Sequence, residues 1–270
     1  VSSLSAFGDA AKRFDSYTFS EDERFVLITT DVESMYRHSF HANFYIYDTK
    51  SEETAKPLTD FSKGMQRLAT FSPSADKVAF VRGNNVFISN LLDGTEIQVT
   101  DDGLFNHIIN GATDWVYEEE FGDDRGLKWS KDGAKLAYYK FDESAVREFH
   151  MPKYTGLYPE LYTFKYPKAG EENSQVEVYI YDYESGQSHG VAIPKSAYYI
   201  PRFFWTNDPN ELCILTMNRH QNELRFLVTE GSFPNNRIGT KQIFREVCNT
   251  YIDIHDNLIF LEDGESFLWT

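Results

Sequence analysis

Four times along the chain an aromatic residue, a serine or threonine, a polar turn and an apolar run follow one another in that order. Phe19-Ser20 leads through Glu21-Asp22-Glu23-Arg24 into Phe25-Val26-Leu27-Ile28. Phe71-Ser72 begins a second copy 52 residues on, running through Pro73-Ser74-Ala75-Asp76 into Lys77-Val78-Ala79-Phe80. Trp129-Ser130-Lys131-Asp132-Gly133, leading into Leu136-Ala137-Tyr138, comes 58 residues later. A weaker copy opens at Trp205-Thr206 and reaches Leu212-Cys213-Ile214. Pro, Asp, Asn and Gly punctuate two β-runs in each copy, so each reads as a hairpin. Further alternating strands follow, as Phe44–Asp48, Val86–Asn90 and Val176–Asp182, and a fifth unit starts near Asp256 and reaches Thr270. Three to four strands per unit at long period predict an all-β propeller. A plain antiparallel sandwich with accidental similarity is the alternative, and the agreement of the copies in order and residue type argues against it.

The spacings exceed the roughly 40–45 residues of a WD40 blade, and the excess belongs to insertions, which on propellers often build the functional face. Segment 101–128 reads as an insertion between two blades. Segment 141–170, rich in Tyr, Phe and Pro, reads as a long ordered insertion inside the third clear blade.

Composition narrows the partners. Aromatic content is 16%, dominated by Tyr and Phe, which favours strands. A net charge of −16 repels phosphate backbones and argues against nucleic acid. The same charge suits a cationic ligand such as a peptide's ammonium terminus, although acidity usually serves only solubility. No apolar run approaches membrane-spanning length. The chain starts at Val1 with no signal peptide in view, so a processed or truncated product is expected. Cys213 and Cys248, each in a strand-like context, have no metal spacing. They read as buried free thiols, with one disulfide as the alternative.

The densest acidic cluster is Asp114-Trp115-Val116-Tyr117-Glu118-Glu119-Glu120-Phe121. On a short helix successive residues turn by about 100°, so two neighbouring glutamates can border one cleft while the third points elsewhere. Two carboxylates and one further acceptor satisfy the three donors of an ammonium group. A solvated acidic loop, a general acid–base pair and a Ca2+ or Mg2+ site use the same residues and stay open on this reading. In Tyr36-Arg37-His38-Ser39-Phe40 an arginine among aromatics suits a carbonyl or carboxylate clamp, although a plain surface arginine looks the same in sequence. The chain has no H-E-x-x-H and no phosphate loop, and its seven histidines are scattered.

Asn110-Gly111-Ala112-Thr113-Asp114-Trp115-Val116-Tyr117-Glu118-Glu119-Glu120 resembles the signature of the dipeptidyl peptidase IV branch of the prolyl oligopeptidase family. Tyr36-Arg37-His38-Ser39, Trp129-Ser130 and Tyr166-Pro167-Lys168-Ala169-Gly170 support the resemblance, the flavour is that of bacterial members, and the likeness is weakest after about residue 195. The resemblance implies an eight-bladed propeller capping an α/β-hydrolase domain, in an enzyme that removes N-terminal dipeptides with Pro or Ala second. It implies that Glu119 and Glu120 bind the substrate's ammonium group and that Arg37 contacts a backbone carbonyl, with no metal and no cofactor. Paired carboxylates repel each other, so one is expected to have a raised pKa unless a cation, Arg37 included, relieves it.

On this reading residues 1–270 are about five blades of a partial N-terminal propeller, and the chain itself lacks the serine-type triad and is inactive. The expected partners are peptides with a free N-terminus, the C-terminal α/β-hydrolase domain of the same protein and, as one option, a second copy in a homodimer. A periplasmic or secreted location is expected. The alternative reading is a non-catalytic homologue that keeps the propeller as a binding module.

Overall fold

A computed structural model describes residues 4–51, 53–231 and 237–270. It is 49% strand and 6% helix, in line with the predicted partial propeller. Strands β1 (Phe14–Phe19), β2 (Phe25–Ser34), β3 (Phe40–Asp48) and β4 (Lys56–Pro57) form one four-stranded antiparallel meander. Strands β5 (Arg67–Phe71), β6 (Lys77–Arg82), β7 (Asn85–Asn90) and β8 (Glu96–Gln98) form the next.

The third blade contains β9 (Ile108–Asn110), β10 (Leu127–Trp129) and β11 (Lys135–Asp142). Its hairpin β12 (Glu148–Lys153) and β13 (Glu160–Lys165) projects before the blade resumes with β14 (Gln175–Asp182) and β15 (Gln187–Val191). The fourth blade runs through β16 (Tyr199–Trp205), β17 (Leu212–Met217), β18 (Glu223–Glu230) and β19 (Arg237–Val247). A short pair, β20 (Ile259–Phe260) and β21 (Phe267–Leu268), begins a fifth.

The repeated openings have one structural meaning. Phe19, Phe71, Trp129 and Trp205 each end the first strand of a blade. The Ser or Thr that follows is buried, and its N–H donates to the carbonyl five residues on, as Ser20 to Phe25 (2.9 Å) and Thr206 to Glu211 (3.0 Å). In the first three copies the hydroxyl also accepts the returning N–H, from Phe25, Lys77 and Lys135. The two tryptophans tie blade to blade. Trp129 Nε1 donates to the Thr70 carbonyl (3.2 Å) and Trp205 Nε1 to the Lys128 carbonyl (2.9 Å). The largest core cluster runs through the second, third and fourth blades, and a second joins the first to the second through Leu27, Phe44, Val78 and Phe80.

Two features go beyond the sequence reading. First, segment 101–128 lies inside the third blade rather than between blades. Both β9 and β10 pair along one edge of β11, with Ile109 opposite Phe141 and Lys128 opposite Ala137, so they are two halves of a single strand. The chain leaves this strand at Gly111 and returns at Gly126, and an Ala112–Arg125 bridge closes the excursion. Second, β15 pairs in parallel with β19, Gly190 opposite Arg237 and Val191 opposite Ile238, which joins the third and fourth blades into one sheet. Both cysteines are free, so the disulfide alternative falls; Cys213 is buried on β17 as expected, whereas Cys248, just past β19, is only half-buried.

Candidate functional site

The excursion carries α1 (Trp115–Phe121), the one α-helix among the described residues. Seven residues are too few to hold a helix unaided, so its ends and buried face must be anchored. Asp114 caps the N-terminus, its carboxylate accepting the Tyr117 N–H (3.0 Å) and the Ser174 hydroxyl (2.6 Å). Gly122 ends the helix in the left-handed region (φ 63°). Arg202 of β16 donates Nη2 to the Phe121 carbonyl (2.7 Å), placing a cation at the negative end of the helix dipole. The Tyr117 hydroxyl accepts the Ile200 N–H (2.8 Å), and rings of Tyr117, Phe121, Tyr139 and Phe141 pack edge to face beneath the helix.

The three glutamates have three different surroundings. Glu118 is 1% exposed and points into the protein. Its Oε1 accepts the backbone N–H of His38 (2.7 Å) and of Ser39 (3.0 Å), in the tip of the β2–β3 hairpin. Glu119 accepts from Arg37 at Nε (2.9 Å) and Nη2 (2.7 Å) in a two-pronged pair. Glu120 is exposed and lines a cleft of about 510 Å³ with Trp115, Tyr166, Tyr199, Arg219 and Tyr251. Thus Arg37 and Glu119 are in direct contact, and Glu120 is the next residue along, facing the cleft.

Electrostatics follow the contacts. The Arg37 guanidinium hydrogen-bonded to Glu119 holds that carboxyl below the usual carboxylate range and raises Arg37 in return. The expected strain between adjacent carboxylates is therefore relieved at Glu119 by Arg37. Beneath the helix, burial raises Asp114 against the pull of its Ser174 hydrogen bond. Burial, reinforced by the nearby Asp114 carboxylate, pushes Glu143 up to about 7. The β12–β13 hairpin braces the site from the side, with Tyr36 against Phe164 (6.0 Å) and Trp115 against Tyr166 (4.2 Å). Among the described residues, no group of three or more His, Cys, Asp or Glu is placed to hold a metal ion.

The buried role of Glu118 escaped the sequence reading, yet a signal existed. Asp114, Tyr117, Glu118 and Phe121 fall at i, i+3, i+4 and i+7, one helical face, and that face is buried. Arg67 and Arg202, both buried beside the helix, carry no such local signal.

Comparison with known proteins places the chain in a family. The family profile described as "Dipeptidyl peptidase IV (DPP IV) N-terminal region" matches residues 20–270. A probable dipeptidyl-aminopeptidase B of Tuber melanosporum is 34% identical over 257 residues, covering 87% of this chain and 28% of the relative. Dipeptidyl aminopeptidase B of Saccharomyces cerevisiae is 37% identical over 180 residues, covering 64% of this chain and 21% of the relative. Among solved structures, Porphyromonas gingivalis dipeptidyl peptidase 4 superposes with a TM-score of 0.82 at 42% identity, over 89% of this chain and 34% of that one. The chain thus spans about a fifth to a third of the length of these relatives. It belongs to the dipeptidyl peptidase IV N-terminal region family.

Proposed function

We propose that this chain is the substrate-orienting part of a dipeptidyl aminopeptidase, holding a peptide's free N-terminus so that cleavage falls after the second residue. The reading rests above all on the Arg37–Glu119 pair, which brings two segments 82 residues apart together; of the three residues only Glu120, the next along, lines the open cleft. Glu119 and Glu120 accept two of the three ammonium donors. Arg37 uses Nε and Nη2 on Glu119, which leaves Nη1 to donate to the first peptide carbonyl. An acetylated N-terminus brings no charge and leaves Glu120 without a counter-charge, so it is rejected. The one G-x-S-x-G match, Gly186–Gly190, runs from the β14–β15 turn into the antiparallel strand β15 and not into the strand-to-helix turn that a nucleophile elbow requires, and bond cleavage belongs to a serine-type hydrolase domain of the longer protein, acting on peptides with Pro or Ala second.

The test is kinetic, in the full-length protein with a Gly-Pro chromogenic substrate. Glu119→Gln, Glu120→Gln and Arg37→Met are each expected to lower kcat/KM by on the order of 10²-fold. Wild-type kinetics in Arg37→Met or in both glutamate variants, or equal turnover of the acetylated substrate, overturns the assignment.

A further inference from the structure

Beneath the clamp lies an arginine that the clamp itself does not use. Strand β5 opens on a bulge. Arg67 stands opposite Val81 and Thr70 opposite Ala79, so one residue is extra on the β5 side, and Leu68 takes φ +58°. A bulge re-aims the side chains beside it, and a left-handed leucine is strained, so the surrounding structure must hold it there. Just before it, Gln66 and Ala42 exchange backbone hydrogen bonds of 2.8 Å, which ties the start of β5 to β3. The result is a guanidinium that is 2% exposed, with Nε, Nη1 and Nη2 all lacking a hydrogen-bond partner among the described residues.

Glu118 presents the complementary feature. Its Oε1 holds the two N–H groups that follow Arg37 in the hairpin tip, while Oε2, also buried, has no hydrogen-bond partner among the described residues. The charged and titratable groups acting on Arg67 are those of Glu118, Tyr36, Asp124 and Tyr162, and Arg67 in turn acts on His41; Arg67 and Glu118 make no direct hydrogen bond, so the interaction is through space. A carboxylate in this setting is costly without a counter-charge, and so is the guanidinium.

We propose that Arg67 is a positioning residue for the N-terminus clamp: it supplies the buried counter-charge to Glu118, and Glu118 holds the hairpin tip that aims Arg37 at Glu119. The proposal rests on the clamp reading above. Arg67 touches no substrate. It acts through one buried carboxylate and two backbone N–H groups, and its loss lets the tip drift by enough to misplace Arg37.

The experiment uses the full-length protein, the Gly-Pro chromogenic substrate and its N-acetylated counterpart, with thermal unfolding alongside. Arg67→Met is expected to raise KM about tenfold with a smaller change in kcat, and to weaken discrimination between free and blocked N-termini. Arg67→Lys, which keeps the charge, recovers most of the loss. Arg67→Met/Glu118→Gln is less impaired than Arg67→Met, because no lone carboxylate is left buried. If Arg67→Met does not fold, recovery of folded protein with raised KM in the double variant supports the coupling, and failure to recover overturns it. A wild-type KM in Arg67→Met while Arg37→Met raises KM sinks this proposal alone. A wild-type KM in Arg37→Met sinks the clamp reading and this proposal with it.

Discussion

Adjacent glutamates in one motif do different work because the helix turns them into different surroundings. Helix geometry lets one of the three glutamates point away from its neighbours, and Glu118 is that one. It points into a buried site where two backbone N–H groups depend on it. Glu118→Ala should therefore destabilise the fold by about 1–3 kcal/mol, the cost of orphaning buried donors, measured by denaturant unfolding. Glu119→Gln should leave unfolding nearly unchanged and act on substrate binding. Glu143 gives a pH signature of the opposite sign to most carboxylates here. Burial raises it to about 7, above the ordinary carboxylate value, so the folded state binds its proton more tightly than the unfolded state. Its contribution to stability is then greatest below the ordinary carboxylate pKa and is lost as pH rises to about 7. Glu143→Gln removes this loss. Relative to wild type, it should gain stability between pH 5 and pH 8 by up to about 3 kcal/mol, read from unfolding midpoints at the two pH values. A difference that is flat with pH would show that Glu143 is not the group responsible.

At the scale of elements, the excursion from the third blade decides where the glutamates go. Gly111 takes φ +74°, and a Cβ there would meet Val86 Cγ2 at 2.6 Å. A Cβ on Gly126 would meet the Ala112 nitrogen at 2.6 Å. Gly126 lets the outgoing and returning chains pass close together, while Gly111 lets the outgoing chain press against Val86 of the second blade, and Gly126→Ala should push the two chains apart with a larger loss than an ordinary surface change. Tyr117→Phe should cost about 1–3 kcal/mol, because it leaves the buried Ile200 N–H without its acceptor. Calorimetry of each variant checks both. The openings were legible in the sequence because an aromatic, a hydroxyl and a turn recur where the hairpin geometry demands them. The split of one strand into β9 and β10 was not, since three residues on each side are too few to show an alternation. Arg67 was not legible either. An arginine in an alternating run is written the same way whether it faces solvent or core, and its direction here depends on a bulge set by the conformation of Leu68.

Across the whole molecule, blades meet mainly through side chains, with Trp129 and Trp205 reaching back to the blade before. Such arrays come apart unit by unit unless something crosses the joints. The β15–β19 pairing crosses one of them, reinforced by the Ala192 N–H on the Ile238 carbonyl (2.8 Å) and the Thr240 hydroxyl on the Ala192 carbonyl (2.8 Å). Amides of the third and fourth blades should therefore lose hydrogen-exchange protection together, while the first blade opens at lower free energy. Protection lost blade by blade, with no shared step, would contradict this. The motif's excursion is rooted in the third blade and pinned by Arg202 and Ile200 of the fourth, so α1 belongs to the stitched body. Arg37 belongs to the first blade, outside that stitch. On the proposed reading the clamp is therefore a vice with one jaw on the stitched body and the other on the first blade, so that loosening the joint between them should change the grip on a bound N-terminus.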